Sequence, residues 1–181
     1  MKAVLDACVI YPSVLREILL GAAAAGMYRP LWSERILGEW IRAVAKLGPL
    51  AVTQATGEAA RMRADFPQAM LDEQPGIAAR LLLPDPDDVH VLAVAIGGHA
   101  DAIITFNAAD FPRHVLAGEG IARRDPDGFL WELQSHHPET MEAILAGVVD
   151  KAKGMDGAPV SLKSLLKRAK LPRLARAVSA Q

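Results

Sequence analysis

Short apolar runs alternate along this chain with longer amphipathic segments, and that alternation leaves few folds open. The run "AVLDACVI" at residues 3–10 has the length and composition of a buried strand. The segment "SERILGEWIRAVAKLG" instead repeats apolar residues at helical spacing: Ile36, Leu37, Trp40, Ile41 and Val44, with Ser33 as its cap and Gly48 as its stop. Further strands are expected at "YRPLW", "IAARLLLP", "ADAIITFN" and "GIARRDP". Helices are expected at "SVLREILLGAAAAGM", "TQATGEAARMRADF", "DPDDVHVLAVAIGG", "PDGFLWELQS" and "PETMEAILAGVVDKAK". After a Gly-rich break, "GMDGAP", come two short helices, the first capped by Ser161. Strands that alternate with helices build a mostly parallel sheet covered on both faces, an α/β fold.

With 181 residues, 51% of them hydrophobic, the chain has material for one domain and a small extension. A single cysteine, Cys8, excludes an internal disulfide and suits a reducing cytoplasm. The N-terminus reads as a first strand rather than a signal peptide, and no apolar run is long enough to span a bilayer. The net charge of −1 conceals an asymmetry. Residues 1–150 hold 12 Lys+Arg against 20 Asp+Glu, whereas residues 151–181 hold eight against Asp156 alone. A basic tail on an acidic body either neutralises that body or offers a landing surface to a phosphate backbone.

In a parallel sheet, function gathers beyond the carboxyl ends of the strands. Acids fall there three times: Asp6 after "AVL", the group Asp85, Asp87 and Asp88 after "RLLLP", and Asp110 after "AIITFN". Asp85 reads as a helix cap with Pro86 in the first helical position, which leaves Asp88 over. Asp6 is the oddest, because a buried carboxylate needs a cation or several donors. Glu39, on the helix after Ser33, either pairs with Arg35 or Arg42 or leans toward Asp6. Clustered carboxylates without cysteine or histidine suit Mg²⁺ or Mn²⁺ better than Zn²⁺, and point to metal-assisted hydrolysis of a phosphodiester.

The pieces "VLDACVIYP", "WSERILGEW", "DPDDVHVLAVAI" and "IITFNAADF", in that order, resemble PIN-domain ribonucleases of the kind found as VapC toxins in bacterial toxin–antitoxin pairs. The resemblance implies a PIN-like three-layer fold over residues 1–125 with a helical C-terminal extension over 126–181. It implies Asp6, Glu39, Asp88 and Asp110 as the acidic site, with Asp6 and Asp88 as metal ligands. Thr105 and Asn107 are then the polar turn that supports it. Mg²⁺- or Mn²⁺-dependent cleavage of RNA, a 3′-hydroxyl on the upstream product, a small antitoxin partner and a homodimer are implied likewise. Asn107 departs from the pattern, standing where relatives can carry an acid. A module that binds RNA or protein without cutting is therefore an alternative reading. A haloacid-dehalogenase-type phosphatase is disfavoured, because Cys8 stands where that chemistry needs its second acid. Cys8 is expected in the first strand as a small buried hydrophobe. His90 is expected to pack, and Trp32, Trp40 and Trp131 to anchor a core or an interface rather than to serve as base-stacking platforms.

Overall fold

A computed structural model describes residues 1–156 and 161–179 and contains five strands among them. Strand β1 (Lys2–Leu5) leads into α1 (Ala7–Ile10) and α2 (Ser13–Ala24). Then follow β2 (Arg29–Ser33), α3 (Glu34–Val44), α4 (Pro49–Asp65), β3 (Met70–Leu71) and α5 (Pro75–Ala78). A 3₁₀ turn at Pro86–Asp88 opens α6 (Val89–Gly97), and β4 (Ala102–Ile104), α7 (Arg113–Gly118) and β5 (Ala122–Arg124) follow. The remainder is helical: α8 (Pro126–His136), α9 (Pro138–Asp156), α10 (Leu162–Arg168) and α11 (Pro172–Ala177). The Gly-rich break expected at 154–159 reaches into residues 157–160, which lie outside the described residues.

Residues 1–11 and 28–124 form one compact unit. Its sheet has the order β3-β2-β1-β4-β5 with every pair parallel, so the unit is the α/β sandwich that the alternation implied. The carboxyl ends of all five strands therefore face one edge. Val4, Leu5, Ile103 and Ile104 are fully buried in the central strands. Helix α6 is apolar nearly all round, and Val91 to Ala95 are excluded from solvent. Trp32 packs edge-on to Phe66, with ring centroids 5.9 Å apart.

The second unit comprises residues 12–27 and 125–181. Within it α2 packs on α9: Gly21 leaves room for Ile144, whose Cγ2 lies 2.8 Å from where a Cβ would sit. Glu17 pairs with Lys151 across the same contact.

Two expectations need correction. The first strand stops at Leu5, because Asp6 N–H makes the last ladder bond to Ile104 O and β4 ends there. The chain turns helical instead, with Val9 and Ile10 donating back to the Asp6 carbonyl, so Cys8 lies on α1 and not in a strand. The segment "IAARLLLP" is not a strand either. Residues 77–78 end a helical turn, residues 81–84 are irregular, and Leu82 is 87% exposed. The place beside β2 is taken by the two-residue β3, and Pro84 has no N–H to give a ladder.

Candidate functional site

The sheet order reverses between β1 and β4. The chain winds outward through β2 and β3, then returns to the other side of β1 to lay down β4 and β5. Such a switch point opens a crevice beyond the strand ends. Asp6 stands at the end of β1 and Thr105 at the end of β4, and they meet across it. The Thr105 hydroxyl donates to Asp6 Oδ2 at 2.6 Å, with both residues buried. The Cys8 thiol donates to the same oxygen at 3.0 Å. Burial, followed by the negative charge of Asp6, pushes the Cys8 thiol up to about 12, so it is a donor here and not a thiolate.

Thr105 also accepts from the backbone N–H of Asn107 at 2.8 Å, which fixes the turn after β4. The Asn107 amide then donates to Asp88 Oδ2 at 3.0 Å. One chain of hydrogen bonds thus links Asp6, Thr105, Asn107 and Asp88. The loop carrying Asp110 is pinned from both sides. Phe111 is fully buried, and the Arg123 guanidinium donates to the carbonyls of Ala108 (2.6 Å) and Phe111 (3.0 Å).

Asp85 caps the 3₁₀ turn by accepting from Asp87 N–H at 2.9 Å, as its place before Pro86 implies. It does more than that. Carboxylate oxygens of Asp85, Asp88 and Asp110 all come within 4.8 Å of one another. Burial, then repulsion by Asp6, Asp85, Asp110 and Glu39, pushes the Asp88 carboxyl up to about 6. A half-buried group of oxygen-only donors so short of positive charge fits a hard divalent cation.

Asp6 lies outside that trio, and so does Glu39. The Glu39 carboxylate is 3.2 Å from Arg35 Nε and 2.9 Å from the buried His90 Nε2. Burial alone would raise it, but His90 and Arg35 outweigh this and hold the carboxyl below its ordinary range. Arg35 also donates to the Asp87 carbonyl at 3.3 Å and so ties α3 to the acid-bearing turn. The spacing of the sequence reads Asp85 as a cap alone and Cys8 as core. Asp85's second role depends on how close Asp110 comes, and Cys8's on Thr105, 97 residues away.

Comparison with known proteins adds to this geometry. A family model described as PIN domain matches residues 2–109. Over 63 residues, 35% of the chain, the sequence is 36% identical to "Putative ribonuclease VapC50" of Mycobacterium tuberculosis (strain ATCC 25618 / H37Rv). That stretch takes in 37% of the relative's length. No solved structure matches the chain.

Proposed function

The chain belongs to the PIN-domain family, and from that membership we propose that it is a Mg²⁺- or Mn²⁺-dependent endoribonuclease, the toxin of a toxin–antitoxin pair. In this reading residues 1–125 carry the nuclease and 126–181 are a helical extension, with residues 12–27 packed among the extension's helices. The protein works in the cytoplasm as a homodimer restrained by a small antitoxin. No described helix is long and apolar enough to cross a membrane. The observation that carries the reading is the trio Asp85, Asp88 and Asp110, whose Asp88 is linked by hydrogen bonds to the buried Asp6 and feels its charge.

Asp85, Asp88 and Asp110 would hold the cation, with Asp6, joined to Asp88 through Thr105 and Asn107, as a further ligand. When bound, the ion supplies Lewis-acid activation of water and neutralises charge on the phosphodiester. Thr105 and Cys8 aim the Asp6 carboxylate by donating to Oδ2, and Asn107 does the same for Asp88. Glu39, kept ionised by His90 and Arg35, adds negative charge and is a poor carrier of protons near neutral pH.

With Mn²⁺ the purified protein should cut single-stranded RNA to leave a 3′-hydroxyl on the upstream fragment, and Asp6→Asn should abolish the cut. An Asp6→Asn variant as active as wild type would sink the assignment. One observation favours the non-cutting alternative: Asn107 supplies an amide where a carboxylate would add a ligand, and occupies one Asp88 oxygen. That reading expects no cleavage and no Mn²⁺ binding at millimolar concentration in a calorimeter.

A further inference from the structure

The second unit holds a cavity that the acidic site does not use. Asp127, buried in the first turn of α8, accepts the backbone N–H of Arg173 at 2.9 and 3.1 Å and that of Leu174 at 3.0 Å. This fixes the first turn of α11 against α8. One helical turn beyond Asp127, on the same side of α8, Trp131 is 46% exposed. Arg173 and Arg176, three residues apart on α11, line the same cavity as the indole. With Ala177 they line an open cavity of about 450 Å³, in the range of small-ligand sites (roughly 300–1,000 Å³). No carboxylate is among the described lining residues; Asp127 is engaged with backbone donors, and Asp125, which comes near the Arg173 guanidinium beside Gly128, accepts the Gly128 N–H. Residues 161–179 carry six Lys and Arg and no acid.

We propose that this pocket binds one nucleotide of single-stranded RNA, with the base stacked on Trp131 and the phosphate received by Arg173 and Arg176. The proposal rests on the ribonuclease reading for its ligand and adds an RNA site outside the residues matched to the family. The pocket's side chains can stack and donate, but they cannot accept. A nucleotide matches that set, because a base offers a π-face and a phosphate only accepts. A peptide backbone carries no charge for the two guanidiniums to meet, whereas every nucleotide brings a phosphate. Stacking on an indole is tolerant of base identity, so the site would hold RNA without choosing the cleaved sequence.

Fluorescence tests this directly. Trp32 and Trp40 are buried, so quenching by a bound ligand reports Trp131. The probe is a twelve-nucleotide oligouridine, added in EDTA to the full chain carrying Asp6→Asn. Quenching is expected, with Trp131→Phe retaining most of the affinity and Trp131→Ala, followed by anisotropy of labelled RNA, losing about tenfold. Arg176→Ala should reduce the dependence of log K on log salt by about 0.7. Circular dichroism checks that each variant is folded. Unchanged affinity in folded Trp131→Ala overturns the proposal, as does quenching by a twelve-residue polyglutamate but not by RNA. If the wild type fails to cut RNA with Mn²⁺ while Trp131 is still quenched, the nuclease reading fails and this site stands.

Discussion

Asp88 couples the site to pH. Its carboxyl titrates near 6 in the folded chain against an ordinary value of 3.8, so between those values the folded state holds a proton that the unfolded state has lost. The stabilisation this gives is complete below about pH 4 and is lost as the pH rises through about 6. Asp88→Asn should therefore raise the melting temperature at pH 7.5, with the gain vanishing toward pH 4, while cleavage is abolished. Equal gains at both pH values would mean that crowding of acids is not the cause. Thr105→Val removes the 2.6 Å bond to Asp6 and the acceptor for Asn107 N–H. Loss of such a supporting partner should reduce Mn²⁺ affinity by roughly 10–100-fold, read by calorimetry. That Asp6, Asp88, Asp110, Thr105 and Asn107 fall at one end of the sheet was legible from their places in the motifs. Asp85's membership of the trio was not, because a cap and a ligand look alike in one dimension.

Helix α3 was legible because its cap and stripe are both local signals. The Ser33 hydroxyl accepts from Ile36 N–H at 3.3 Å, and Ile36, Leu37, Trp40 and Val44 are buried. Ser33→Ala should cost about 1 kcal/mol in denaturant unfolding, with no change in the m-value. The stretch before the 3₁₀ turn was not legible. Three successive leucines mimic a buried strand, but whether they pair depends on a free sheet edge, and a two-residue strand from elsewhere holds it. Leu82→Lys should accordingly shift stability by no more than about 0.5 kcal/mol. A loss of several kcal/mol would restore the strand that the pattern suggested. The three parallel central strands were legible as apolar runs; the turn to helix at Ala7 was not, since β-branched Val9 and Ile10 suit a strand equally well.

In sequence the two units interleave: residues 12–27 leave the first and join the helices after Asp125 in the second. A fragment ending at residue 125 would strip α2 of α9 and bare Leu15, Ile18, Leu19 and Ala22, all fully buried in the intact chain. It should aggregate on size-exclusion chromatography where the full chain does not. The same long-range wiring sets a clock on synthesis. Asp6 emerges early, but Thr105, which aims it, lies 99 residues further on, and Asp110 follows that. At roughly 5–20 residues per second, those acids stay apart for on the order of 5–20 s while the ribosome adds the intervening chain. No nascent copy can therefore assemble its acidic crevice until that interval has passed, so the site is a property of the finished sheet and never of its first strand.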